Sequence, residues 1–286
     1  MNKSMQETKD QTYIITGGNT GIGKAIALAL AQKQAHVVII SRDPHKGAAA
    51  AAEIQDTSQQ KAVEFMVGDL GSITSTHQLV DGLLERYPKI TALINNAGVW
   101  MLKREINVDK LEYSFMVNHL APFILSDRLL PCLKANGSAR IIDINAGLYV
   151  NGKVDLNKTP FGQDFSRMGT YANTKLCNML FTKEFANRIE GSGVTINAVH
   201  PGVIRTNLGA TSGLIGILLG LVKRSWGTPE EGAIAPVWLA TSPEVEGVNG
   251  QYFNLQEQTE LNANAKDVVL GQKLWDLSAK LAGLEA

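Results

Sequence analysis

Thr16-Gly17-Gly18-Asn19-Thr20-Gly21-Ile22-Gly23 decides the fold. It follows a β-branched run, Thr12 to Thr16, and leads into Lys24 to Ala31, a run of strong helix formers. Glycine allows a tight turn and lets the backbone come close to a pyrophosphate, while the N-terminus of the following helix offers unpaired N–H groups and a positive dipole end. A glycine cluster alone is more often a plain turn. Strand, GxxxGxG cluster and helix in that order predict a dinucleotide-binding βαβ unit.

Outward from this unit, short β-branched runs keep alternating with longer helical patterns, as they do around a parallel sheet. Strands are expected at Thr12 to Thr16, His36 to Ser41, Ala62 to Val67, Ala92 to Asn95, Ala139 to Ile144, Val194 to Val199 and Gln251 to Asn254. All but the last are nearly continuous in apolar residues, the pattern of strands covered on both faces. Helical crossovers are expected at Ile22 to Gln34, Thr74 to Arg86, Asp109 to Leu133, Tyr171 to Ile189 and Pro229 to Ala240, with a further helix around Ala48 to Ala52 and a C-terminal one over 262–284. The fold class expected is α/β: one single-domain Rossmann fold over residues 1–286, a doubly wound seven-stranded parallel sheet flanked by helices.

Composition agrees. Of 286 residues, 44% are hydrophobic and 19% charged, with 27 basic against 27 acidic side chains, which excludes a disordered chain and gives none of the basic surplus of a nucleic-acid binder. Cys132 and Cys177 are isolated, with no metal-ligand or disulfide spacing, so no metal site is expected and a reducing, cytoplasmic setting fits. The polar stretch Met1 to Gln11 reads as a loose lead-in without signal-peptide character. Leu214 to Val222 is too short and too interrupted by glycine to span a bilayer.

Two segments break the alternation. Leu148 to Gly169 carries Gly152, Pro160 and Gly162 and reads as a long loop. The apolar stretch 207–228 reads as a lid over a substrate pocket, with a helix packed on the core as the plainer alternative.

Two further features carry chemistry. The second strand ends in Ser41-Arg42 rather than in an acid; an arginine there can pair with a 2′-phosphate that an aspartate would repel, favouring NADP(H) over NAD, with a solvated surface arginine as the alternative. Tyr171-Ala172-Asn173-Thr174-Lys175 puts a phenol and an ammonium one helical turn apart on one face. The cation is expected to lower the phenol pKa and produce a general acid usable near neutral pH.

With these pieces the chain resembles the short-chain dehydrogenase/reductase family, and within it the retinol dehydrogenase-like branch. The resemblance rests on Thr16 to Ala27, Ser41 to Gly47, Asp69-Leu70, Asn95 to Gly98, Val117 to Phe123, Tyr171 to Arg188, His200 to Gly209, Thr228 to Ala233, Ser242 to Phe253 and Lys273 to Leu284, nearly the whole chain. It implies that Gly17, Gly21 and Gly23, with Asn19, Thr20 and Ile22 of the same turn, hold the pyrophosphate of the cofactor. Arg42 is implied for the 2′-phosphate, Asp69 and Leu70 for the adenine, and Asn95, Ala97 and Gly98 for the adenosine side. Pro201, Gly202, Ile204 and Thr206 are implied at the nicotinamide end. Tyr171 is implied as proton donor or acceptor, Lys175 as the ribose-binding residue that tunes it, and Asn118 as the support of a helix bend and a water relay. Pairing through the helices Asp109 to Leu133 and Tyr171 to Ile189, with Leu176, Met179 and Leu180 on that face or in the core, implies a homodimer or homotetramer.

One departure stands out. The family usually carries two serines after the fifth strand, the second polarising the substrate carbonyl, whereas Ile144-Asn145-Ala146-Gly147 has no hydroxyl. Ala146 takes the usual catalytic position, and Asn145 or a water is the candidate replacement donor. The expected function is an NADPH-dependent reductase of an apolar aldehyde, ketone or enone, with Trp100, Tyr149, Phe161 and Leu208 bordering the substrate; those aromatics are equally readable as core. Alternatives are a non-redox enzyme of the same fold, using Tyr171, Lys175 and Asn145 for proton transfer in a cyclisation, isomerisation or elimination, and a cofactor-binding protein whose catalysis has decayed.

Overall fold

The computed structural model describes residues 11–204 and 227–285. Its sheet is built from β1 (Thr12–Thr16), β2 (His36–Ser41), β3 (Val63–Val67), β4 (Ala92–Asn95), β5 (Ala139–Ile144), β6 (Val194–His200), β7 (Tyr252–Asn254) and β8 (Glu257–Gln258). The spatial order is β3-β2-β1-β4-β5-β6-β7-β8. The first seven strands are parallel, and β8 pairs antiparallel with β7 through Phe253 with Gln258 and Asn254 with Glu257. The sheet therefore has eight strands rather than the expected seven. The extra one is a two-residue exposed hairpin arm behind a positive-φ turn at Leu255, too short for any alternation to mark it.

Helices α1 (Gly21–Gln32), α2 (Pro44–Ser58) and α8 (Pro229–Thr241) cover one face. Helices α3 (Ile73–Arg86), α4 (Tyr113–Phe115), α5 (Ala121–Arg128), α6 (Leu130–Lys134), α7 (Arg167–Arg188) and α9 (Val268–Ala282) lie on the other. The strands feed both layers by alternation: Ile14, Val38 and Ile40 point into the second core, Tyr13, Ile15, Val37 and Ile39 into the first. Side-chain caps set the helix starts. Asp43 accepts from the N–H groups of His45 and Lys46 to open α2, and Ser166 accepts from that of Gly169 to open α7, so α7 begins four residues before Tyr171.

The helix expected over Asp109 to Leu133 is broken. A short turn, α4, passes into a π-helical stretch at Met116–Leu120, then α5 and α6. The widening centres on Asn118, whose amide is drawn out to the backbone of Val99. The second break falls at Leu129, ahead of Pro131, which has no N–H to continue the ladder. The C-terminal helix is likewise shorter than expected, a 3₁₀ turn at Ala263–Lys266 followed by α9.

Helix α9 lies across α7. Trp275 stacks on Phe181 and Phe185 with ring centroids 6.1 and 5.5 Å apart, Phe123 meets it edge-on at 4.8 Å, and the Arg188 guanidinium sits 4.3 Å from its ring centroid. His119 Nε2 and Ser278 Oγ bond at 2.9 Å, and His77 Nε2 reaches the Ala282 carbonyl at 2.8 Å. Leu176, Met179 and Leu180 are consequently buried within the chain. The face expected to pair two copies is filled by the chain's own C-terminal helix.

No helix among the described residues is long and apolar enough to cross a membrane. The expected lid over 207–228, and with it Thr206 and Leu208, lies outside the described residues apart from Gly227 and Thr228, as does the lead-in before Gln11.

Candidate active site

The chain winds outward from β1 to β3 and then returns to β4 beside β1, so strand order reverses between the C-terminal ends of β1 and β4. In open α/β sheets a crevice forms at this reversal. A cavity of about 960 Å³ follows it, from Arg42 at one end to Tyr171 and Lys175 at the other.

The glycine turn forms the middle of the floor. Gly17 has φ +64°, and a Cβ there would come within 3.2 Å of the Ala97 Cα; a Cβ on Gly23 would collide with the Asn96 amide and the Gly17 carbonyl. Asn96 locks the two strand ends together by donating to the carbonyls of Thr16 at 2.8 Å and Gly17 at 3.3 Å. Thr16 Oγ1 in turn accepts from the N–H groups of Asn96 and Ala97, both at 3.0 Å. Thr20, the N-cap of α1, is extended and its side chain makes no capping bond. The first turn of α1 thus keeps its orphan N–H groups beside a backbone surface that any side chain would obstruct, a fit for a phosphate-bearing group.

Asn19, Thr20, Gly21 and Ile22 line the cavity with this turn, and Ala97 and Gly98 continue it. Arg42, Asp69 and Leu70 sit toward one end, Pro201, Gly202 and Ile204 toward the other. Asn95, expected on the adenosine side, is instead buried beneath the cavity. Its Nδ2 donates to Asp143 Oδ1 at 2.8 Å and to Ser126 Oγ at 3.2 Å, and a side chain on the inward pleat of β4 has no other outlet.

At the far end, Tyr171 and Lys175 come from the first half of α7. Burial pushes the Tyr171 phenol up to about 12, against the expected lowering. The cause is geometric: Lys175 Nζ lies 5.6 Å from the centre of the phenol ring and donates to the Ile144 carbonyl at 2.9 Å. Burial lowers Lys175 to about 8, partly offset by the charge of Asp143. Asp143 is itself raised to about 6 by burial, although Asn95 and Thr182 donate to it. Trp100 stacks on Tyr171 from the cavity side, with centroids 5.2 Å apart and planes 22° from parallel.

Asn118 accepts from the Val99 N–H at 2.7 Å and donates to the Val99 carbonyl at 2.9 Å and to Thr174 Oγ1 at 3.1 Å. It ties the bent helix to the segment carrying Gly98 and Trp100, and to α7 beside Lys175. Asn145 and Ala146 line the wall opposite. The Asn145 side-chain oxygen accepts from the Ala146 N–H at 2.8 Å and its Nδ2 donates to the Lys175 carbonyl at 3.2 Å, so the amide braces β5 against α7.

Of the aromatics expected to border the substrate, Trp100 lines the cavity, as does Met101 beside it, while Tyr149 and Phe161 do not. Tyr149 is packed edge-on against Tyr252 at 5.1 Å in the core, and Phe161 rests on the same core. Both belong to short 3₁₀ turns, Gly147–Asn151 and Thr159–Phe161, that direct their rings inward. Lys46, Tyr113 and His200 are polar lining residues that carried no expectation as site residues. The imidazole of His200 is pushed toward the neutral form by burial. Lys46 follows Arg42 by four residues within Ser41 to Gly47, whereas Tyr113 stands 71 positions away at a helix start that only the folded chain brings to Arg42, so no local spacing marks it.

The chain is similar to known proteins. The family model described as short chain dehydrogenase matches residues 11–213. Human retinol dehydrogenase 14 is 37% identical over 96% of this chain and 87% of its own length, and human retinol dehydrogenase 13 is 36% identical over 96% and 86%. Among solved structures, an uncharacterized protein from Mycobacterium Paratuberculosis superposes with a TM-score of 0.78 at 26% identity, covering 100% of this chain and 99% of that one. A short chain dehydrogenase from Burkholderia cenocepacia J2315, solved in complex with NADP, superposes with a TM-score of 0.69 at 23% identity over 87% of this chain and 97% of its own. Sequence, sheet order and site thus lead to one assignment: the chain belongs to the short chain dehydrogenase family, in its retinol dehydrogenase-like branch.

Proposed function

We propose that the protein is an NADPH-dependent reductase of apolar aldehydes, ketones or enones, with Tyr171 as the proton donor. The observation that carries the reading is the continuity of the cavity: Arg42, the glycine turn, Trp100 and Tyr171 all line one groove of about 960 Å³. The glycine turn and the open first turn of α1 would hold the pyrophosphate, Arg42 the 2′-phosphate, Asp69 and Leu70 the adenine, and Pro201, Gly202 and Ile204 the nicotinamide end. When bound, the dihydronicotinamide supplies the hydride that the protein itself lacks.

The chain's own residues do the rest. Tyr171, kept protonated by burial, gives its proton to the carbonyl oxygen, or to the adjacent carbon of an enone. Lys175, its ammonium 5.6 Å from the centre of the phenol ring, would bind the nicotinamide ribose hydroxyls and so hold the cofactor beside the phenol. Asn118 fixes the Val99 backbone and, through Thr174, the register of α7, so phenol and ammonium keep their positions. Trp100 closes the outer side against water and presents an apolar wall. The reading takes Ala146 as standing where the family's serine polarises the carbonyl. Because the Asn145 amide is engaged with backbone, Tyr171 acts as the main donor to that oxygen.

The test is NADPH consumption with a panel of apolar aldehydes, ketones and enones, with product masses measured and Tyr171→Phe as the blank. Reduced product that disappears in Tyr171→Phe supports the reading. A product of unchanged mass with no NADPH consumed, or turnover that survives in Tyr171→Phe, would overturn it.

A further inference from the structure

The end of the cavity farthest from Tyr171 is built around a contact that no local sequence motif announces. One guanidinium N–H of Arg42 donates to the Tyr113 hydroxyl at 2.9 Å, joining the residue after β2 to the first residue of α4. The phenol reaches that point because residue 71 is glycine: a Cβ there would stand 2.9 Å from Tyr113 Cε2 and 3.0 Å from its hydroxyl. The turn that carries Gly71 is itself fixed. Asp69 Oδ1 accepts from the Gly71 N–H at 2.9 Å, and the Asn107 amide donates to the Gly71 carbonyl at 2.9 Å.

The donor count matters. A tyrosine oxygen that accepts from arginine keeps its own O–H to give, so the pair presents guanidinium N–H groups and a phenolic O–H side by side. Lys46 lines the same end, its ammonium 3.9 Å from Asp43 Oδ2. Asp43, the nearest acid along the chain, has one carboxylate oxygen taken by the N–H groups of His45 at 2.9 Å and Lys46 at 3.1 Å as the cap of α2. Asp69 lies across the turn with Oδ1 occupied by Gly71. A guanidinium and a phenolic O–H side by side offer several donors to a phosphate monoester dianion, while the carboxylates of Asp43 and Asp69 that line the same end are partly taken up by backbone N–H groups and by Lys46.

We propose that Tyr113 is a specificity-determining residue for the cofactor, holding Arg42 over the groove and donating its own O–H to the 2′-phosphate. This rests on the reading of the cavity as an NADP(H) site. Through Gly71, selectivity depends on the turn after β3 as well as on the residue after β2.

The experiment is equilibrium binding of NADP⁺ and of NAD⁺, each measured calorimetrically on the wild type, Tyr113→Phe, Gly71→Ala and Arg42→Ala, with no turnover required. Tyr113→Phe is expected to lose about tenfold in NADP⁺ affinity, the usual scale of one hydrogen bond to a charged group, with NAD⁺ affinity unchanged. Gly71→Ala keeps the hydroxyl but displaces the ring, and is expected to show the same selective loss. NAD⁺ binding serves as the control for folding. A wild type that binds NADP⁺ no tighter than NAD⁺ would overturn the cofactor reading itself. A wild type that prefers NADP⁺, with the preference lost in Arg42→Ala but retained in Tyr113→Phe, would leave that reading standing and overturn the role of Tyr113.

Discussion

Trp100 stacks on Tyr171 at 5.2 Å while its indole N–H donates to the Arg167 carbonyl at 2.6 Å, in the first turn of the helix that carries Tyr171. The apolar wall of the substrate end and the proton donor are therefore one packed unit, although 71 positions separate them in sequence. Removing the indole frees the phenol on its cavity side.

Trp100→Ala is expected to lower kcat/KM for an apolar substrate by about tenfold. An aromatic pair contributes about 0.5–1.5 kcal/mol beyond area burial, and the substrate loses contact area as well. Trp100→Phe keeps a stacked ring and is expected to recover most of the loss. Steady-state kinetics on the three proteins check this; equal values for the Ala and Phe variants would show that stacking plays no part.

The pH profile of reduction should report Lys175 rather than Tyr171. Burial raises the phenol to about 12, so it stays protonated across the working range, whereas the ammonium, lowered to about 8, loses its charge as pH rises through that value. The rate is expected to be level from about pH 6 to about pH 7.5 and to fall above about pH 8. Among the described residues, Asp143, His200 and Tyr171 are the titratable groups around the lysine, and only Asp143 favours its charge. Asp143→Asn should move the falling limb to lower pH. A limb that stays in place in that variant would mean another group governs it.

How far the sequence foretold the site follows from which signals are local. Gly17, Gly23, Tyr171 and Lys175 act through spacings of a few residues inside one strand-turn-helix unit or one helix, and periodicity places such units well. The parallel sheet was legible for the same reason, each buried strand being an apolar run bounded by turns. Long-range packing was not legible. The inward turn of Tyr149, the contact of Tyr113 with Arg42 and the docking of α9 on α7 each join residues about 70 to more than 100 positions apart. The Tyr171 phenol was misjudged because proximity along a helix fixed only where the Lys175 chain begins; the Ile144 carbonyl decides where its ammonium ends.

Ala146→Ser tests the missing hydroxyl. Ala146 lines the cavity at the end of β5 with its backbone already extended, so a serine hydroxyl adds a donor without altering the turn. One oxyanion-type donor is commonly worth about 10²- to 10³-fold in kcat. An increase of that order on aldehydes and ketones is expected, with a smaller one on enones, whose proton can go to carbon. A uniform response across the three classes would show that position 146 does not contact the developing oxyanion.

The covered face of α7 bears on assembly. Pairing through α5 and α7 needs an exposed apolar surface, but Leu176, Met179 and Leu180 are buried within the chain, and Trp275 fills the space between Phe123, Phe181 and Phe185. The wild type is expected to have a monomer mass by light scattering across the micromolar range. Trp275→Ala removes the aromatic wedge and the partner of Arg188, and is expected to cost about 3 kcal/mol in urea unfolding, within the usual range for truncating a packed aromatic. As α9 loosens, the variant should also begin to associate with concentration, because the uncovered stripe of α7 is apolar. A wild-type dimer whose mass is unaffected by Trp275→Ala would place the pairing surface elsewhere on the molecule and leave α9 with a purely stabilising role.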